Sequence, residues 1–209
     1  YGSLAMGRHY GLYYDYIDDE IDRHRSHYSD AIVFGDLFVS NALSYRSPSY
    51  ALGNFGVLVE FNDADDQGKS IDERIELAGT LHQGQAALHA GYVNSPNHDG
   101  PYGVAASYDY RWARLVGVYQ AIERAGGSEE TLVGVALDAE VDSRHSLRVA
   151  LTAKQDKENS DLDQVFIIVG GDHRFSDHVL VFAELFRKSS ERSQPQDESA
   201  LIGGIRFDF

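Results

Sequence analysis

The sequence predicts an all-β chain that crosses a membrane as an antiparallel, up-and-down barrel. Three observations predict it. Apolar and polar residues alternate with period two through most of the chain after residue 40. Long polar connections alternate with short turns, as in barrels with long loops outside and tight turns on the periplasmic side. No apolar run approaches the ~18 residues of a membrane helix; the longest, Val165 to Gly171, is far too short.

The alternation can be followed strand by strand. Phe55, Val57, Val59 and Phe61 share one face, with Gly56, Leu58 and Glu60 opposite. Ile75, Leu77 and Leu81 oppose Arg74, Glu76, Thr80 and His82. Ala86, Leu88, Ala90 and Tyr92 form the next row, then Leu147, Val149, Leu151 and Ala153. Val181, Ala183 and Leu185 precede the final row of Leu201, Gly203, Ile205, Phe207 and Phe209. Residues 112–122, 130–141 and 162–174 are less clean, being apolar on parts of both faces. About twelve strands of about ten residues result, longer and more numerous than the mean of ~5–6 in soluble sheets. The competing architecture is a large secreted β-sandwich or solenoid, which has no reason to alternate loop lengths. The polar segments are 63–71, 94–101, 123–130, 155–161 and 187–198. Tight turns lie near Gln83-Gly84, Asp109-Arg111, Asp142-Arg144 and Arg174-Asp177.

Composition narrows the function. In 209 residues, 18 Lys and Arg face 33 Asp and Glu, a formal charge of −15. A nucleic-acid partner would need a basic face, so none is expected. The absence of Cys removes zinc-thiolate sites, disulfides and thiol catalysis. Asp63-x-Asp65-x-Gln67-Gly68 resembles the start of a calcium loop, but Arg74 stands where a bidentate Glu is needed. His24, His27, His89, His98, His145 and His173 show no metal-ligand spacing. No metal, cofactor or catalytic residue is therefore expected. Tyr10, Tyr92, Tyr102, Tyr108, Trp112, Phe175, Phe207 and Phe209 fall near strand ends, as interfacial girdles do. A barrel this size is expected to have no packed core to receive them.

Residues 15–39 break the strand pattern. Tyr13, Ile17 and Ile21 have helical spacing, and Asp15, Asp18, Asp19, Glu20, Asp22, Asp30 and Asp36 crowd the segment with Arg23 and Arg25. A connection of this length without strand character is usually functional.

These residues carry a resemblance. Gly7-Arg8-His9-Tyr10-Gly11 followed by Tyr14-Asp15 resembles the Gly-Arg-x-Tyr-Gly…Tyr-Asp signature of the general porins of Gram-negative outer membranes. Ser44-Tyr45-Arg46-Ser47-Pro48 resembles the signature of that family's next strand, and the terminal strand with Phe207 and Phe209 resembles its assembly signal. The resemblance implies one barrel domain over 1–209, with residues 15–39 as a constriction loop folded into the lumen. It also implies a sixteen-stranded parent whose first four strands this chain lacks, which leaves barrel closure open.

The implied function is passive diffusion of ions and small hydrophilic solutes through a water-filled channel. The implied setting is the Gram-negative outer membrane, with lipid and lipopolysaccharide as neighbours and a homotrimer as the assembly. The alternatives are an outer-membrane barrel enzyme of protease or phospholipase type, and a soluble all-β binding protein. By the resemblance, Arg8 and Arg46 line the basic wall of the aperture, facing loop acids Asp15, Asp18, Asp19, Glu20 and Asp22. Opposed charges across a narrow aperture orient dipolar solutes and bias ion passage. Arg46 has the parity for this; Arg8 shares parity with Leu4 and Met6 and reaches the lumen only past a bulge or twist near Gly7. Arg74, Glu76, Arg148, Lys154, Glu184, Arg206 and Asp208 also fall on the inward parity, as charges of an ordinary solvated interior.

Overall fold

The computed structural model describes residues 1–61, 72–95, 100–123, 127–190 and 197–208. The calcium-like stretch from Asp63, His98 and Phe209 lie outside the described residues. Twelve strands run in chain order: β1 Ser3–Tyr10, β2 Phe38–Arg46, β3 Gly53–Phe61, β4 Asp72–Gln83, β5 Ala86–Asn94 and β6 Gly100–Tyr110. They continue as β7 Ala113–Glu123, β8 Glu129–Glu140, β9 His145–Asp156, β10 Gln164–Ser176, β11 Val179–Ser190 and β12 Glu198–Phe207. Each pairs antiparallel with the next in one continuous sheet. β1 and β12 are its edges, each bonded to a single neighbour among the described residues. This is the wall of an up-and-down barrel.

The connections sort by end. Residues 47–52, 84–85, 111–112, 141–144 and 177–178 make the short turns, all at one end of the sheet. The β4–β5 turn places Gly84 at φ +64, the position a type II′ hairpin reserves for glycine. The longer connections, including 11–37 between β1 and β2, leave from the other end.

Among the described residues, the outward rows meet no second layer. Leu77, Leu81, Leu88, Leu115, Val133, Leu151, Ile167, Leu185, Leu201 and Ile205 are all exposed. A band of large apolar side chains running across so many strands suits hydrocarbon, not water. Aromatic residues rim the band. Tyr108, Tyr110, Trp112, Phe175 and Phe207 stand exposed toward the short turns. Tyr92 pairs with Tyr102 toward the long loops, and Tyr10 stacks on Phe38 at 4.8 Å.

The inward face departs from expectation. The sequence predicts an unpacked interior, yet Leu58, Ala78, Ala105, Val116, Ala136, Ala150, Phe166 and Ile168 are buried there. What covers them is the segment after β1, which turns inward and lies on the wall. It forms a π-helical turn at Tyr14–Asp18, a short helix α1 at Asp19–Ile21 and a 3-10 turn at His27–Ile32. The interior is thus partly a packed core. The strands that read as apolar on both faces, β7 and β10, put Val116, Val118, Phe166 and Ile168 into it.

Candidate functional site

The inserted segment is seated by shape. Leu12, Tyr13, Ile17, Ile21 and Ile32 have no solvent exposure. They lie against small residues of the wall, and four glycines make room. A Cβ on Gly56 would stand 3.0 Å from Leu12, and one on Gly91 would stand 2.8 Å from Ile17 and 2.9 Å from Tyr13. A Cβ on Gly103 would meet the Tyr13 hydroxyl at 2.6 Å, and one on Gly134 would meet Ile21 at 2.5 Å. These glycines sit on β3, β5, β6 and β8, so the seat runs across the sheet. The i, i+4 spacing of Tyr13, Ile17 and Ile21 thus marks the face that docks, although the turn between them is wound as a π-helix.

Polar contacts then fix the segment in register. Glu76 accepts the Tyr13 N–H at 2.9 Å, the Tyr13 hydroxyl donates to Gln120 at 3.1 Å, and the Tyr16 hydroxyl donates to Asn54 at 2.6 Å. Further along, Glu184 accepts two backbone donors, Arg25 N–H at 2.6 Å and Ser26 N–H at 2.9 Å. Asp172 receives both arms of the Arg148 guanidinium at 2.6 Å, and Arg25 at 3.1 Å. On β4, Arg74 pairs with Asp36 and lies 2.7 Å from Glu76. Tyr28 stacks on Phe186 at 4.4 Å, and Lys154 lies over the Phe34 ring.

The predicted residues therefore divide. Arg46 points inward and bonds Asp15. Glu20 is buried and held by Arg114, with Arg23 at 3.7 Å. Asp22 accepts the Tyr14 hydroxyl. Asp18 is fully buried and accepts the Gly35 N–H at 2.7 Å. Burial pushes its carboxyl up to about 7, because the charged form loses its water. Of the five predicted acids, only Asp19 is exposed; Asp30 and Asp36 of the same segment are exposed as well, Asp36 while bonded to Arg74. Arg74, Glu76 and Glu184 do face inward, but they are buried and bonded to the segment, and Arg148 is buried against Asp172 of the wall; none is a solvated interior charge. Arg206 is exposed and pairs with Asp208 at 2.7 Å near the turn end, where Phe207 is also exposed.

Arg8 is not brought to Arg46. Its guanidinium lies 4.9 Å from the ring of Phe38, an exposed residue of the outward face. The bulge exists but falls on the partner strand. Gly7 pairs with Ala42 and His9 with Val39, so the extra residue is in β2, where Asn41 has φ +50. β1 keeps its alternation, and His9, not Arg8, reaches inward to the Ser44 hydroxyl at 3.3 Å. Arg114, which the sequence reading passed over, is the residue that holds Glu20; its inward parity with Val116 and Val118 was the available signal.

Comparison with known proteins agrees with the fold. The family model described as Gram-negative porin matches residues 1–193. No curated protein matches the chain. Among solved structures, it resembles the anion-selective porin of Comamonas acidovorans, with TM-score 0.77 at 14% identity, covering 100% of this chain and 74% of that one. It resembles OmpF of Salmonella typhi with TM-score 0.79 at 16% identity, covering 98% and 74%. The outer-membrane protein OmpT of Vibrio cholerae superposes with TM-score 0.73 at 16% identity, covering 99% and 77%. The chain belongs to the Gram-negative porins, barrels of the outer membrane whose water-filled channels let small hydrophilic solutes diffuse passively.

Proposed function

We propose that residues 11–37 are the constriction of this channel, and that the exposed acids of their free face, with Arg46 and Asp15 beside them, set its selectivity. One observation carries this reading: the segment is seated on the inner wall while the outer rows stay bare. In this reading Asp19, Asp30 and Asp36 border the aqueous path, since their side chains are exposed. Asp18 and Glu20 are structural, since both are buried. Arg8 is left out of the aperture because of its place over Phe38. Fixed charges at a narrow place bias passage without chemistry, and the channel works without catalysis. Phe207 and Phe209 serve as the assembly signal, lipopolysaccharide and lipid cover the outer face, and three copies assemble.

Planar-bilayer recording of the full-length protein tests this. Deleting residues 19–36 is expected to raise the single-channel conductance. An unchanged conductance would remove the segment from the aqueous path. Unheated gel electrophoresis with cross-linking tests the trimer, and a product no larger than one chain would exclude it.

A further inference from the structure

A polar niche of about 260 Å³ opens on the inner face of the wall at the short-turn end. Apart from Arg25, its lining comes from β8 to β11 and the 141–144 turn, outside residues 11–37. The middle of the niche is neutralised from within. Arg148 gives both arms to Asp172 at 2.6 Å, and Asp172 also takes Arg25 at 3.1 Å and the Ser146 hydroxyl at 3.2 Å. Asp142, in the turn, is occupied by the Arg144 and His145 N–H groups and by the His145 ring.

The two flanks are not neutralised. On β8, Asp138 and Glu140 share inward parity with the buried Leu132 and Ala136, and the register sets them opposite Arg148 and Ser146. On the other side, Arg174 shares the inward parity of Asp172 on β10, and its N–H donates to the Arg144 carbonyl at 2.8 Å, which brings the two arginines together. Among the described residues, the side chains of Asp138, Glu140, Arg144 and Arg174 form no hydrogen bond and no ion pair. Acids and arginines stay apart because β8 and β10 are two strand spacings from each other, ~9–10 Å at the backbone, with the saturated Arg148–Asp172 pair between. A simple anion or cation in the niche would satisfy one flank and leave the other bare. A solute that carries an ammonium and a carboxylate answers both. Two charge-assisted contacts of ~2.8 Å leave ~4 Å of the gap to the solute itself, a separation that suits an amino acid or a short peptide.

We propose that this niche binds small zwitterionic solutes of amino-acid to dipeptide size, with Arg144 and Arg174 taking the carboxylate and Asp138 and Glu140 the ammonium. It is a resting place in the lumen on the turn side, built from residues other than the exposed acids and Arg46 assigned to the constriction. Because the flanks are open to water, the binding is weak and reversible, as passage through a channel requires.

The test is a calorimetric titration of glycylglycine into the full-length protein folded in detergent at low salt. Saturable binding is expected, about fivefold weaker when the ammonium is acetylated and about fivefold weaker when the carboxylate is amidated. The double variant Arg144→Gln, Arg174→Gln should lose the preference for glycylglycine over its amide and keep the preference over its N-acetyl form. The double variant Asp138→Asn, Glu140→Gln should do the reverse. Equal binding of the N-acetyl form by the unaltered protein would make this an anion site and overturn the proposal, and equal binding of the amide would overturn it as a cation site. An absence of saturable heat would overturn it too. Binding that is lost in Arg46→Gln but kept in both double variants would place the solute at the constriction instead. Circular dichroism checks that each variant keeps its strands.

Discussion

The inserted segment is held at two places by different physics. From Leu12 to Ile21 it rests on a seat of glycine and alanine, with four apolar side chains entirely buried. From His24 to Ser26 it is gripped by carboxylates, two oxygens of Glu184 on two backbone donors and Asp172 on Arg25. Burying each apolar side chain contributes about 1.5–3 kcal/mol. A hydrogen bond to a charged acceptor contributes a similar gross amount, but the carboxylate first loses its water. The seat therefore supplies most of the attachment, and the clasp fixes where the chain turns back. The seat answers to volume and the clasp to charge.

The largest expected effect comes from filling the seat. Gly91→Leu with Gly103→Leu places side chains where Ile17 and Tyr13 already lie. Overpacking costs about 1–3 kcal/mol at each site. The segment should lift, and single-channel conductance should rise together with a lower melting temperature. Unchanged conductance in a folded variant would show that the seat does not hold the segment.

Next is acidity, acting on the seat from within. A free Asp18 ionises near its ordinary value of 3.8, while the seated one holds its proton to about 7. Seating is thus unpenalised at low pH. It weakens as pH rises from about 4 to about 7, by at most about 1.4 kcal/mol per unit, and levels off above that. Current fluctuations should be more frequent at pH 8 than at pH 5, and Asp18→Asn should flatten the difference. Fluctuations that instead grow on acidification would contradict the assignment.

The clasp should give less. Glu184→Leu leaves the Arg25 and Ser26 donors without their acceptor, at about 1–3 kcal/mol for a buried donor. Hydrogen exchange should quicken at residues 24–26 and stay slow at 13–21. Equal quickening at both would merge the two anchors into one.

The smallest effect is electrostatic. Arg46→Gln should shift the reversal potential in a salt gradient toward cations, and Arg8→Gln should not. If Arg8→Gln shifts it as much, Arg8 belongs to the aperture after all.

Much of the wall is legible in the chain, because period-two alternation translates directly into two faces. Leu77, Leu81, Leu88 and Tyr92 stand outward as their spacing predicts. The spacing of Tyr13, Ile17 and Ile21 likewise marks a docking face, but nothing local says on what it docks. Long-range register decides that, so the partners Gly91, Gly103 and Gly134 could not be read in advance. The same limit hides that Arg74, Glu76, Arg148 and Glu184, which parity gives as solvated charges, are buried and paired. Parity sets Arg8 beside Leu4 and Met6, and it stays on that face over Phe38, because the bulge near Gly7 adds its residue to β2 and leaves β1 alternating. Glu140 and Arg174 come to one niche only through the β8–β9 and β9–β10 ladders.

The row of missing Cβ atoms on β3, β5, β6 and β8 has a consequence for how such channels diversify. The calibre of the passage is written as much in the staves as in the plug. Bulk added to either must be shaved from the other, so a change in width needs paired substitutions far apart along the chain.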